Sequence, residues 1–535
     1  MPDINIVDRH GKPMAMSGAN DSAHLAASIK ARELAAWTPP NSSADTANFG
    51  EINAIAARAY DLERNNGIAG GAIRTSVDNI VGTGLQLSAK PDWRSLGMTP
   101  EWADEWAVTT ESKWRSFADV PEFDAGRQLT FGGMTVLQLR TAFLAGEALA
   151  LPLWLPQRPG SKWATAMQSI DPARLEGPEG QFITEKNRDG VEVSRYGEPI
   201  AYWIRRNHPG DIFSMFSSEE RYERVPARTR FGRKRVIHLY DKKRPGQSRG
   251  TSILANVMAG FRMLDHYQRI EMQTAVINSM IAAFIETPLN GEDIASLFGT
   301  DQKYIDSRNN WDVKLDGGSI IPLHPGDKLN SFNPGRPNSA YQQFIETVVR
   351  TIGAGMNMPY ELILKDFSRT NYSSARAALM EAWRYFMGMR TWRAQGWRQP
   401  VYELWLEEAI SKGEIEAPGF YDNRFAYCRA RWRGPGRGWI DPQREAQAAE
   451  TRMKNSISTL EDECADQGKD WEEVLEQRAK ERKRGIDLGL EDVHAPPQQG
   501  GAPVEDPEDD ADEQDDELRS AITGALSRVG KTEAE

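Results

Sequence analysis

Cysteine is nearly absent: two residues in 535, Cys428 and Cys464, neither with a second cysteine at CxxC spacing. That count excludes a disulfide framework and a cysteine-built metal site, and a reducing cytoplasm is the expected place of synthesis. The seven histidines, among them His208, His238, His266 and His324, form no HExxH pair. His238 and His266 are therefore read as structural. No apolar run reaches the length of a membrane span; the stretch Ala275 to Ile285 is broken by Asn278 and Ser279. The opening Met-Pro-Asp-Ile-Asn-Ile-Val-Asp-Arg lacks the basic start and apolar core of a signal peptide, so none is expected.

Intact catalytic motifs are missing as well. Gly246-Gln-Ser248-Arg-Gly250 has the letters of a nucleophile elbow, but Asp241-Lys-Lys-Arg-Pro245 stands where an apolar strand must lead in. A polar turn is the preferred reading. Gly530-Lys531-Thr532 resembles the end of a phosphate loop, yet position 525, where its first glycine belongs, is Ala. No enzymatic residue set, cofactor or metal is expected.

What is present is a folded composition, 39% hydrophobic and 27% charged, in a chain too long for one core. The net charge of -12 is concentrated: residues 491 to 517 carry twelve acids and no Lys or Arg, leaving the remainder neutral. Against that body, Arg221 to Arg249 holds eleven cations and only Glu223 and Asp241 as acids. Arg228, Arg230, Arg233, Lys234, Arg235, Lys242, Lys243 and Arg244 are its candidate partner-binding residues. A solvated basic loop and a surface for phosphate or an acidic protein both remain open.

The periodicity predicts an α+β fold, mainly helical. Residues 1–48 read as a loosely held arm rich in Ala, Ser, Asn and Pro. Helices are expected over Phe49–Asn65, Gly70–Ile80, the segment of Trp102, Trp106 and Trp114, and Thr135–Gly146. Leu85–Ala89, Glu147–Trp154, Val191–Val193, Ile200–Ile204 and Val236–Tyr240 alternate like strands. Thr251–Glu286 reads as one long helix ended by Pro288. A Gly- and Pro-punctuated unit follows over 288–337, with strands at Trp311–Leu315 and Ser319–Leu323. Asn371 to Ser374 can cap a further helix running to Gly413, and Pro400 inside it predicts a kink between Gly396 and Pro400. Residues 442–484 are charged and helical. After Asp492 the acid-rich chain reads as disordered, with a short helix near Leu518–Val529.

The most informative stretch is Tyr341 to Arg376. Tyr341, Phe344, Ile345, Val348, Val349 and Ile352 recur at helical spacing and form one apolar face that must pack. The connection from Asn357 to Thr370 is too long and too apolar for an ordinary turn. Farther on, Trp383, Tyr385, Phe386, Trp392, Trp397, Tyr402 and Trp405 interleave with Arg384, Arg390, Arg393 and Arg398. A stacking surface for nucleic acid and a helix packed on several sides both fit; the aromatics surround the helix, which favours packing.

Five words in order carry a resemblance: Arg64-Asn-Asn66, Val77-Asp-Asn-Ile-Val-Gly-Thr-Gly84, Arg244-Pro-Gly-Gln-Ser-Arg-Gly250, Pro325-Gly326 and Asp366-Phe-Ser-Arg-Thr-Asn-Tyr-Ser-Ser-Ala-Arg376. From about Ala57 to about Pro418 the chain resembles the lambda-type portal proteins of tailed bacteriophages. The resemblance implies an elongated multi-domain subunit with wing, stem, clip and crown, in a homo-oligomeric ring commonly of twelve, at one capsid vertex. Double-stranded DNA would pass through it irrespective of sequence. Its implied partners are the terminase large subunit, the major capsid or scaffold protein, and head-completion or tail-adaptor proteins. No membrane is involved, and the ring would be assembled in the bacterial host cytoplasm and end in the virion.

Mapped onto the helices and breaks, it implies a wing at 49–250, stem helices at 251–287 and 338–356, and a clip at 288–337. A tunnel loop at 357–370 would face DNA through Asn357, Lys365, Asp366 and Arg369, with Asp366 moderating the cations. The kinked wing helix and following segment would span 371–440, the crown 441–490, and the acidic disordered tail 491–535. The apolar face of 338–356 is expected to pack on neighbouring subunits. A capsid scaffold or adaptor without a DNA channel, and a nucleic-acid-processing enzyme, remain as alternatives. The first predicts no closed ring; the second predicts activity lost on changing Ser248 or a carboxylate.

Overall fold

The computed structural model describes residues 24–28, 31–34, 36–82, 84–178, 184–211, 221–280, 284–286, 328–330, 341–436, 438 and 442–489. Helices up to Ser411 that bear on the site are labelled α1 (Ile52–Asn65), α2 (Gly67–Ile80), α3 (Pro100–Ala118), α4 (Phe131–Leu144), α5 (Met258–Met280), α6 (Tyr341–Met356), α7 (Tyr372–Arg393) and α8 (Gln399–Ser411). The strands are β1 (Gln86–Ala89), β2 (Glu147–Trp154), β3 (Thr165–Ile170), β4 (Asn187–Arg188), β5 (Val191–Val193), β6 (Pro199–Arg205), β7 (Tyr222–Pro226), β8 (Ile237–Tyr240), β9 (Phe284–Glu286), β10 (Lys328–Asn330) and β11 (Ala430–Arg433). They pair as β3-β2-β8, β4-β5-β6-β7, β1-β11 and β9-β10, all antiparallel. The chain divides into two units after Lys469; the second holds the helix Trp471–Asp487, whose first turn is capped by the Asp470 carboxylate accepting from the Glu472 amide.

Strand β2 separates two cores because successive side chains point to opposite faces. Ala148 and Ala150 enter an aromatic core with Trp114, Phe117, Phe131, Trp397, Tyr402 and Trp405. Leu149 faces the other way, onto Ile170, Leu175, Val191, Tyr202, Ile204 and Val225 of the second sheet. A third core gathers α2, α5, α6 and α7 through Ile73, Val77, Phe261, Leu264, Val349, Ile352 and Phe386.

The family words have local causes. Asn66 caps α2, its Oδ1 accepting from the amides of Ile68 at 3.1 Å and Ala69 at 2.9 Å. At the other end of α2 the carbonyls left open by helix geometry are taken by Arg390. Its Nε donates to Ile80 O at 2.9 Å and Nη2 to Asn79 O at 2.8 Å. Gly250 lies so close to Gly146 that a Cβ on it would overlap the Gly146 carbonyl, so the word ending at Gly250 is a packing requirement.

Pro400 marks a break of a specific kind. Between α7 and α8, Ala394–Arg398 forms a π-turn, and the Gln399 amide donates to Ala394 O across five residues. The wider turn sits one residue before the proline that cannot donate. Gly396 abuts Leu239, leaving no room for a side chain.

Three expectations need correction. The helix expected over Thr251–Glu286 is shorter: α5 starts at Met258, and Phe284–Glu286 is strand β9 paired with β10. The reason lies upstream, where Ser252 Oγ donates to Phe143 O at 3.0 Å and accepts from the Leu254 amide at 3.1 Å, and 253–257 form turns. The arm is anchored at its end. In the helix Ala44–Asn48, Asp45 is buried and accepts from the Ser248 amide at 2.7 Å and Ser248 Oγ at 2.9 Å. The loop 357–370 contains a helical turn, Tyr360–Leu364. The proposed strands at 311–315 and 319–323, most of the 288–337 unit, and the 491–535 tail with its short helix lie outside the described residues.

Candidate functional site

Helix α6 and the loop that follows form one folded unit. Val349, Ile352 and Met356 project at helical spacing, and the loop returns Met358 and Ile363 to the same core; all five are buried. Asn357, at φ 54°, turns the chain out of α6, and the Met358 amide donates back to Gly353 O at 2.9 Å. Lys365, at φ 57°, ends the short helical turn. Two non-glycine residues in the left-handed region within ten positions mean that packing holds the loop shape.

That packing corrects the expected subunit-interface face. Val349 and Ile352 are buried in the chain's own core, which they share with residues of α2, α5 and α7. Ile345 and Val348 are half-buried against the same core. Tyr341 stacks on Tyr267 of α5, and Phe344 meets the same ring edge-on while staying 47% exposed. Only the outer end of the stripe faces outward.

The polar residues of the loop differ in availability. Lys365 is exposed, and its side chain makes no ion pair or hydrogen bond among the described residues. The Asp366 carboxylate accepts from the Ser368 amide at 3.0 Å; hydrogen bonds from Ser368 hold it below its ordinary range, with Arg369 a smaller influence. Arg369 Nη1 reaches back to Glu346 of α6 at 2.8 Å. Glu346 also accepts from Gln342 Nε2 at 3.1 Å and faces Arg350 at 3.5 Å, while the Arg350 guanidinium covers the Tyr360 ring.

The basic segment is less uniform than its composition. Arg228, Arg230 and Arg235 are exposed on the connection between β7 and β8; Lys242, Lys243 and Arg244 are exposed in the loop after β8. Arg233 instead pairs with Glu407 at 2.9 Å and lies over the Trp154 ring, and burial pushes the Lys234 ammonium down. Arg233 is held by α8 and the sheet and Lys234 is partly buried, so the exposed basic surface is smaller than the eight residues proposed.

Two other sequence readings are decided by burial. Ser248 is enclosed and its Oγ donates to Asp45, so it sits in a polar turn. Trp397, Tyr402 and Trp405 are 1% exposed or less, which makes them core residues and removes them as a stacking surface. Sequence reasoning missed Glu147, Arg249, Asp189 and His238 as a unit. Arg249 Nε donates to Glu147 at 2.7 Å, its Nη1 lies 3.0 Å from Asp189, and His238 Nε2 lies 2.9 Å from Glu147. The signal was Arg249 at the end of the basic run, but nothing local names its partner 102 residues away.

The family model described as phage portal protein, lambda family, matches residues 30–390. Portal protein B of Escherichia phage lambda is 30% identical over 479 residues, covering 86% of this chain and 89% of the relative. The chain belongs to the lambda family of phage portal proteins. The portal protein of Escherichia phage N15 is 31% identical over the same share of each chain. Among solved structures, a chain of the neck of a native gene transfer agent particle, computed with C12 symmetry, matches with a TM-score of 0.42 and 10% identity, over 81% of this chain and 93% of its own. The portal family is structural rather than catalytic. Among the described residues, no helix is long and apolar enough to cross a membrane.

Proposed function

We propose that this portal chain closes with copies of itself into a ring at a capsid vertex, conducts double-stranded DNA, and docks the packaging motor and neck proteins through the 288–337 clip. Membership of the lambda portal family carries the reading, and α5 supplies its physical support. The buried face of α5 is marked by Phe261 and Leu264. Met263 and Ile270, two turns apart, flank it on one side at 71% and 40% exposed; Met272 flanks it on the other at 61% exposed. Apolar surface on both flanks of one stem helix suits a head-to-tail interface, in which each copy offers two different sides. In this reading 49–250 and 371–440 form the wing, α5 and α6 the stem, 357–370 the tunnel loop and 441–490 the crown.

Changing Ile270 and Met272 together to Glu places one uncompensated carboxylate on each flank. The full-length variant should keep its helical circular dichroism yet form no rings in negative-stain images, where the unchanged protein does. Rings of normal size from the double variant would overturn the stem assignment. Replacing both Lys365 and Arg369 by Ala should leave the rings intact and alter packaging or retention of DNA. Wild-type packaging, retention and ejection would remove the loop from DNA handling.

A further inference from the structure

The loop carries two exposed cations, yet only Arg369 is already occupied. Its partner Glu346 lies 23 positions earlier, on the α6 face beneath the loop, and is itself mostly covered. Gln342 and Arg350, one turn to either side on α6, also contact Glu346 and hold its carboxylate in place. The moderating carboxylate expected at Asp366 is engaged instead with the Ser368 amide.

We propose that Glu346 is a built-in competitor of DNA phosphate for Arg369, and so sets how firmly the loop grips passing DNA. This rests on the reading that the loop faces DNA. A guanidinium presents the same fork of donors to a carboxylate and to a phosphate. When a phosphate arrives, Arg369 exchanges one anion for another, and the gain on binding is the difference between two similar pairs. When the phosphate moves on, Glu346 takes the arginine back. The pair is open to water on its Arg369 side, at 55% exposed, so exchange needs no core to open. Lys365, with no such rival, supplies steady attraction. A conduit built this way attracts DNA without holding it, because each Arg369 contact is closely balanced.

The test removes the charge of Glu346 and keeps its shape. Full-length assembled protein, unchanged and as Glu346→Gln, Arg369→Ala and the double variant, is titrated with a short fluorescein-labelled duplex over a range of salt. Glu346→Gln should bind more tightly and depend more steeply on salt. For each arginine released to a phosphate, raising salt fourfold should weaken binding about threefold more than in the unchanged protein. On the Arg369→Ala background, Glu346→Gln should change neither affinity nor salt slope. A Glu346→Gln protein with unaltered slope, or the same increase without Arg369, would overturn the competitor role. Phe367, 40% exposed in the loop, replaced by a photoreactive phenylalanine analogue, tests the underlying reading separately. Crosslinking to the duplex together with an unaltered slope refutes the competition alone. Absence of crosslinking refutes the DNA-facing loop and the competition with it.

Discussion

Replacing Arg249 by Ala is expected to destabilise the fold by roughly 3–5 kcal/mol, the range for leaving a buried charge without its partner. Arg249 is 3% exposed and Glu147 fully covered. Beyond the two carboxylates, the guanidinium donates to Leu175 O at 2.8 Å, Asp189 O at 2.9 Å and Pro172 O at 3.3 Å. It thereby ties β2, the 172–175 turn, the β4–β5 turn and the entry to α5 together. Urea denaturation followed by circular dichroism gives the loss directly. A change below about 1 kcal/mol, the value of an exposed pair, would mean that the network is dispensable. Exchanging Glu147 and Arg249 together for Gln and Met should cost less than Arg249→Ala, because no buried charge is stranded.

The same network predicts an acid profile. Burial by itself would raise the Glu147 carboxyl; the Arg249 charge and the His238 hydrogen bond outweigh it and hold the group at about 2, against an ordinary value of 4.5. A carboxyl depressed in the folded state contributes stability that is complete above its unfolded value. That contribution should fade as pH falls from about 4.5 towards about 2. Asp189 shifts the other way, because burial outweighs Arg249, so its contribution opposes that of Glu147.

Trp405→Ala should cost a similar amount, about 3–5 kcal/mol, as a large aromatic removed from a packed core. Its ring lies 5.2 Å from Trp114, 5.5 Å from Trp163, 6.1 Å from Tyr402 and 6.2 Å from Phe117. Those contacts join α8 to α3 and to the segment that leads into β3, so the cavity cannot close by moving one element. Duplex affinity measured in urea-free buffer should stay at the unchanged value in molecules that still assemble. A stable variant with weakened DNA binding would reverse the assignment and restore the aromatic set as a stacking surface.

Much of the fold was legible because its signals are local. Strand β2 was expected at Glu147–Trp154 and is found there, since alternation bounded by Gly146 admits no other register. Asn371 caps α7 through the Ser374 amide at 2.8 Å, as its side chain and position require. The break before Pro400 follows from a residue with no amide proton, although its form, a π-turn, depends on how α7 and α8 seat in two different cores. The start of α5 was not legible: Ser252, which delays it, answers to a carbonyl on α4.

By itself the sequence determined the helix and strand periods, the caps, the break before Pro400 and, through its ordered words, the portal family. An apolar stripe states that a face must be covered, and a charge states that it needs a partner, but neither names the surface that answers. Only the tertiary structure assigned Val349 and Ile352 to the chain's own core, left Met263, Ile270 and Met272 of α5 facing outward, and set Glu346 beneath Arg369. Such pairings join residues far apart along the chain, and linear spacing carries information only about neighbours within a few turns.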